Sequence, residues 1–163
     1  TLKGVAPDAL LVAHKVLDSA GNGYTSDVLA AMERALDPNQ DGNTSDHYDI
    51  ISLSLGTDGN ANDDLSLAAD SAVNAGVVVV AAAGNSGPNL NSIRSPGNSR
   101  LAITVGNTYL NDTIRASSSR GFASGSGDIK PDLVAPGVDI NSTKMGGGYE
   151  TQTGTSMAAL ALA

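Results

Sequence analysis

A serine near the carboxyl end of the chain is the first residue whose surroundings could support chemistry. Ser156 stands in Gly-Thr-Ser-Met-Ala, shortly before the apolar run 159–163. If a helix begins near Met157, the hydroxyl lies at its N-terminus, where free backbone N–H groups and the helix dipole favour a negatively charged oxygen. A serine that only caps a helix would have the same surroundings. The motif therefore fits a nucleophile without identifying one.

An asparagine at the end of an apolar segment is the second such residue. The run 76–83, Gly-Val-Val-Val-Val-Ala-Ala-Ala, predicts a buried strand, and Gly84 and Asn85 follow it directly. An amide there could donate to a developing oxyanion, a contact that removal experiments on other enzymes value at about 3–4 kcal/mol. An asparagine in an ordinary turn is the other interpretation.

The strand predicted over 49–55 ends in a similar way, in Ser54, Leu55 and Gly56. A strand end of this kind could pair with an extended peptide by adding it to the sheet. Because any strand end shares this property, the segment by itself is equally well explained as structure.

The elements that must position these residues alternate between strands and helices. Nearly continuous apolar runs predict strands buried on both faces, whereas apolar residues spaced three and four apart predict helices. The predicted strands are 9–17, 49–55, 76–83 and 101–105, and the predicted helices are 26–36 and a segment from an N-cap at Asn62 to Gly76. This order indicates a parallel sheet with helices on both faces. Parallel α/β sheets carry their working residues at the carboxyl ends of the strands.

The composition is that of one folded domain and excludes several functions. The chain has 163 residues, of which 40% are hydrophobic and 16% charged. A net charge of −8 argues against binding to nucleic acid, whose phosphates require clustered Lys and Arg. The absence of cysteine excludes disulfides and thiolate metal sites. No apolar run reaches the roughly 18 residues of a membrane span, so we expect no membrane partner.

Seven stretches of the chain resemble, in the same order, segments of the subtilisin-like serine proteases, the subtilase family (peptidase family S8). They are 4–7, 15–17, 54–56, 77–88, 118–121, 130–137 and 154–158. This resemblance spans nearly the whole chain and implies a three-layer α/β fold with a mostly parallel sheet. It also implies a serine endopeptidase, usually secreted, that hydrolyses polypeptides through an acyl-enzyme.

The resemblance also implies roles for individual residues. Ser156 matches the nucleophile, and Asn85 matches the amide of the oxyanion hole, where the backbone N–H of Ser156 is its partner. Two further segments match those that flank the substrate and frame the pocket for the residue before the scissile bond: Ser54, Leu55 and Gly56, and Ala82, Ala83 and Gly84.

Arg94 departs from the small residue that the family often has near the base of that pocket. A buried guanidinium there would favour an acidic side chain in the substrate. An Arg94 side chain that points to solvent is the other interpretation.

The family's catalytic Asp and His, which precede the segment that 4–7 matches, have no counterpart in this sequence. We therefore expect residues 1–163 to be a partial catalytic domain, truncated on its N-terminal side and just after the nucleophile, and inert by itself. His14, in a predicted buried strand, and His47, in an acidic loop, do not match the family's histidine. A non-catalytic homologue or fragment that binds peptides is the alternative.

The loop after the first predicted helix has the oxygen-ligand spacing of a calcium site, with Gly42 at the position of the sharp turn. The candidate ligands are Asp37, Asn39, Asp41, Asn43 and Asp46, and Asp49 could supply a carboxylate in place of Asp46. Tyr48 occupies the position where a bidentate Glu is usual. We expect calcium as a cofactor, and a turn whose Asp and Asn side chains bond its own backbone is the alternative.

Overall fold

The computed structural model describes residues 3–163, which contain three α-helices, one 3-10 turn and eight strands. The helices are α1 (Thr25–Leu36), α2 (Asp64–Asn74) and α3 (Thr155–Leu162), and the 3-10 turn is Thr44–Asp46. The strands are β1 (Ile50–Leu53), β2 (Val78–Ala82), β3 (Ile103–Thr108), β4 (Gly121–Phe122), β5 (Ile129–Lys130), β6 (Leu133–Pro136), β7 (Ile140–Thr143) and β8 (Tyr149–Gln152). Among the described residues, no helix combines the length and the apolar character that a membrane span requires.

Four strands form one parallel sheet in the order β1-β2-β3-β6. Leu53 lies beside Ala81, and Ala82 lies beside Val105, so neighbouring strands end at the same edge of the sheet. The other strands form two antiparallel pairs, β4 with β5 and β7 with β8. The parallel sheet predicted from the alternation of elements is confirmed.

Strand β2 is packed on both faces, which explains why its sequence is apolar throughout. Val79 and Ala81 belong to the core formed with α1 and α2, whereas Val80 and Ala82 belong to the core formed with α3. Successive side chains of a strand point to opposite faces, so these two sets define two interfaces. The molecule therefore has three layers: α1 and α2, the sheet, and α3.

Helix α2 begins one residue later than predicted, because its N-cap is Asp63 and not Asn62. The Asp63 carboxylate accepts hydrogen bonds from the N–H of Ser66 at 2.9 Å, the N–H of Asn60 at 2.8 Å and the hydroxyl of Ser95 at 2.7 Å. Partial burial acts to raise the pKa of Asp63, but these bonds to the charged carboxylate outweigh it and lower the pKa below its ordinary value.

The strand predicted over 9–17 is wrong. The segment has no strand, and Leu10 and Leu11 are 93% and 88% exposed. A strand requires a neighbour that pairs with its N–H and C=O groups, and β1, at the edge of the sheet, forms no ladder with this segment. A groove of about 170 Å³, lined by His14 and Val16 among others, lies between the segment and β1. His14 is consequently exposed and not part of a buried strand.

Candidate active site

Three parts of the chain meet at the carboxyl edge of the parallel sheet. The segment 54–56 follows β1, the segment 83–85 follows β2, and α3 packs against both strands. Together with residues between 17 and 28 they line an open cleft of about 700 Å³. The predicted site residues that line it are Ser54, Leu55, Gly56, Ala82, Gly84, Asn85, Arg94 and Ser156. Ala83 is fully buried behind the cleft wall.

Ser156 is the second residue of α3, whose N-cap is Gly154. Its hydroxyl donates to the carbonyl of Ser54 at 3.1 Å, and the hydroxyl of Ser54 donates back to the carbonyl of Ser156 at 2.9 Å. This reciprocal pair ties the first turn of α3 to the end of β1. The Ser156 side chain is therefore held at the N-terminus of α3, where the first backbone N–H groups have no partners within the helix.

Asn85 is held against the same helix end through Thr155. The Asn85 Oδ1 accepts from the N–H of Thr155 at 3.0 Å, and the hydroxyl oxygen of Thr155 accepts from the N–H of Gly84 at 3.2 Å. Because the amide oxygen is engaged in this way, the Nδ2 group is the end of the amide that is left to donate. A hydroxyl and an amide donor thus face one cleft.

The matching family profile, described as the subtilase family, covers residues 1–162. The chain belongs to the subtilase family. Serine protease AprX of Bacillus subtilis (strain 168) is 40% identical over 96% of this chain and 41% of its own length. A subtilisin of Bacillus sp. (strain TA39) is 42% identical over 95% of this chain and 38% of its own. The structure of sphericase matches with a TM-score of 0.81 and 38% identity, over 96% of this chain and 52% of that one.

The three-layer subtilisin-like fold is therefore confirmed, and the chain spans about half of the sphericase chain and less of the two other subtilases.

The two histidines of this subtilase lie away from the nucleophile candidate. The His14 ring is 6.2 Å from the ring of Tyr48, and His47 Nδ1 is 3.0 Å from the Tyr48 carbonyl oxygen. Neither lines the cleft that holds Ser156. Within residues 3–163, Ser156 therefore has no imidazole that could accept its proton.

Arg94 lies in the wall of the cleft, where its side chain is 34% exposed. Its Nε and Nη2 donate to the hydroxyl of Ser86 at 3.0 and 2.9 Å, and Nη1 pairs with the carboxylate of Asp58. The side chain thus borders the cleft and is neither fully buried nor directed wholly into solvent.

The sequence did not predict a role in the site for two residues, Thr155 and Asp58. Thr155 is fully buried and connects Asn85 to Gly84, and Asp58 pairs with Arg94. Thr155 stands next to the predicted nucleophile, but its role depends on Asn85, which is 70 residues away in sequence. Asp58 sits in the loop between β1 and α2, where nothing in the local sequence marks it as the partner of Arg94.

The predicted calcium loop folds around its own side chains. Asp37 accepts from the N–H groups of Asp41 and Gly42 at 3.1 and 2.8 Å, and Asn39 accepts from the N–H of Asp41 at 2.8 Å. Asp41 in turn accepts from the N–H of Asn43 at 2.8 Å. These are the bonds of a turn rich in Asp and Asn, and they gather several side-chain oxygens in one place.

Proposed function

We propose that this chain supplies the nucleophile, the oxyanion-binding groups and the substrate cleft of a subtilisin-type serine endopeptidase. The observation that carries this proposal is the meeting of Ser156, Asn85 and the segments 54–56 and 82–84 around one cleft. Polypeptides are the proposed substrates, and secretion, which the family resemblance implies, is part of the proposal.

The proposed chemistry is acyl transfer to Ser156. Its Oγ attacks the carbonyl carbon of the scissile peptide bond while a general base takes its proton, and the amine leaves with a proton returned by that group. The tetrahedral oxyanion is stabilised by Asn85 Nδ2 and by the backbone N–H of Ser156, at the positive end of α3. Water then hydrolyses the acyl-enzyme and releases the second product.

The substrate main chain is proposed to lie between the ends of β1 and β2. Gly56 and Gly84 line the cleft without side chains, so an extended peptide can approach both segments closely. Even a Cβ at Gly84 would collide with Arg94 Cγ, which lies 2.5 Å from the position that this Cβ would take. The absence of a side chain at Gly84 therefore also leaves room for Arg94 in the wall of the cleft.

The alternative is a subtilase that binds peptides without cleaving them. The position of both histidines outside the cleft favours it for the chain by itself, because a serine hydroxyl without a base is a weak nucleophile. The cleft and the strand ends are common to the two functions, so only turnover distinguishes them.

Turnover is best tested in a chimera in which residues 3–162 replace the matching segment of the TA39 subtilisin. The rest of that enzyme supplies the acid–base residues that this chain lacks. We expect the chimera to hydrolyse peptide p-nitroanilides, and the 163-residue chain alone to show neither turnover nor a burst with a p-nitrophenyl ester. A chimera that melts cooperatively and does not cleave any peptide would refute the proposed endopeptidase function.

We also propose that the loop 37–49 binds calcium. Its support is the spacing of Asp37, Asn39 and Asp41, whose oxygens suit a hard cation, and the left-handed φ of +83° at Gly42. Among residues 3–163 there is no group of three His, Cys, Asp or Glu side chains placed to hold a metal. Asparagine and backbone oxygens would therefore have to complete the coordination shell.

Calcium at a hundredfold excess over its dissociation constant is expected to raise the melting temperature by about 5–10 °C. Replacing Asp37 and Asp41 together with Asn should abolish the shift, because it removes the two carboxylates, whereas Asp112→Asn in a distant turn should not. The measurement is differential scanning calorimetry with and without EDTA, supported by titration calorimetry. An unchanged melting temperature and no calcium heat would exclude the site.

A further inference from the structure

The cleft beside Ser156 contains an ion pair that is separate from the proposed chemistry. Among the described residues, Arg94 and Asp58 are the two charged side chains that line this cleft. The chain carries a net charge of −8, so Arg94 places a local positive charge in an otherwise acidic protein. A cation that borders a substrate cleft bears directly on which substrates enter it.

The fold holds Arg94 in a fixed place. Its N–H donates to the Ala83 carbonyl at 3.0 Å, and its stem runs between two glycines. A Cβ on Gly84 would lie 2.5 Å from Arg94 Cγ, and a Cβ on Gly56 would lie 3.3 Å from Arg94 Cβ. Both segments proposed to flank the substrate therefore leave the space that the arginine stem fills.

Ser86 orients the guanidinium of Arg94, and Asp58 engages only some of its N–H donors. Ser86 accepts from Nε and Nη2, so one edge of the planar group is committed to a neutral hydroxyl. The fork formed by Nη1 and Nη2 matches a carboxylate, and Asp58 holds it at Nη1. A guanidinium fixed on one edge and exposed on the other is preorganised for a second carboxylate.

Asp58 is placed to compete with a substrate carboxylate for Nη1 and Nη2 of Arg94. Thr57 and Ser95 form an antiparallel bridge, with N–H to carbonyl distances of 2.9 and 3.0 Å, which sets Asp58 and Arg94 side by side. The Asp58 side chain is 91% exposed, so water competes for it and the pair is weakly held. A carboxylate that a bound peptide carries into the cleft can displace it.

We propose that Arg94 selects substrates with an acidic side chain, Glu or Asp, entering the cleft next to Ser156, and that Asp58 occupies the guanidinium until such a side chain displaces it. This substrate class rests on the proposed endopeptidase function. Competition between Asp58 and the substrate carboxylate for Arg94 has two consequences. Removing the charge of Asp58 strengthens the preference for an acidic side chain, and removing the charge of Arg94 abolishes it.

The test compares peptides that end in Glu, Gln or Leu before the cleaved bond. Glu and Gln have nearly the same shape, so the ratio of their kcat/KM values isolates the charge. We expect a Glu to Gln ratio of about 10 in the chimera, a further rise of about fivefold in Asp58→Asn, and a ratio near 1 in Arg94→Met, which keeps the unbranched stem. Arg94→Lys should retain part of the preference. Matched controls are Asp112→Asn and Arg34→Met, which make the same charge changes away from the cleft.

Equilibrium binding separates this inference from the proposed function. The same peptides, as acetylated products, are titrated calorimetrically into the 163-residue chain and into the chimera with Ser156→Ala, where no turnover is needed. The selection would be overturned if the chimera cleaved the Leu peptide and had equal kcat/KM values for the Glu and Gln peptides that Arg94→Met did not change. That result would leave the proposed endopeptidase function intact. Tighter binding of the Glu peptide without any cleavage would support the selection and refute the endopeptidase. If Asp58→Asn left the Glu to Gln ratio of kcat/KM unchanged, Asp58 would not compete with the substrate for Arg94.

Discussion

Ser156→Ala in the chimera is expected to lower kcat by about 10⁶-fold, which is the loss known for the nucleophile of subtilisin and not a value derived from this structure. The change removes the only atom proposed to attack the substrate carbonyl. The substrate cleft remains, so KM should change little. Pre-steady-state kinetics with an excess of a p-nitrophenyl ester would show the burst of acyl-enzyme in the parent chimera and its absence in the variant.

The same change has a modest structural cost that must be separated from the loss of chemistry. The Ser156 hydroxyl donates to the Ser54 carbonyl, so its removal leaves that carbonyl to water. A neutral hydrogen bond of this kind contributes about 1 kcal/mol to the free energy of unfolding, far less than a 10⁶-fold change in rate represents. Ser142→Ala, on the exposed strand β7, is the matched control and should leave kcat unchanged. A Ser156→Ala chimera with kcat within tenfold of the parent would eliminate Ser156 as the nucleophile.

The parallel sheet could be predicted because its strands are buried on both faces. In β2 the residues Val79 and Val80 pack on opposite sides of the sheet, so both must be apolar, and the run is visible in the sequence. The carboxyl-edge rule then places Asn85 and Gly56 at one edge without any knowledge of their side-chain contacts. This much of the site follows from local pattern and general topology.

The features that the sequence did not predict correctly share a different physical cause: each depends on a partner that is distant in sequence. The run 9–17 is nearly continuously apolar, yet it forms no ladder, because a strand exists only where a neighbour pairs with it. The start of α2 was misplaced because Asp63 and Asn62 are both good caps, and only Asp63 also accepts from Ser95. The Asp58–Arg94 pair likewise joins two loops through a bridge that no local pattern reveals.

Asn85→Asp is the second change with a large expected effect, because it separates the two ends of the amide. The Oδ1 atom holds the N–H of Thr155, whereas the Nδ2 group is the proposed oxyanion donor. Aspartate keeps an acceptor for Thr155 and adds a negative charge at the N-terminus of α3, which the helix dipole favours. The same charge faces the developing oxyanion and repels it, so the variant should remain folded while catalysis fails.

We expect Asn85→Asp to lower kcat by at least about 10²–10³-fold, the range known for loss of the oxyanion-hole asparagine of subtilisin, with little change in KM. Asn85→Ala should lower kcat to a similar extent but should also lower the melting temperature, because it leaves the N–H of Thr155 without its acceptor. Comparing kcat, KM and melting temperature of the two variants in the chimera therefore assigns each function to one atom of the amide. If Asn85→Asp retained kcat within threefold of the parent, Nδ2 would not stabilise the oxyanion, and Asn85 would serve only to anchor the first turn of α3.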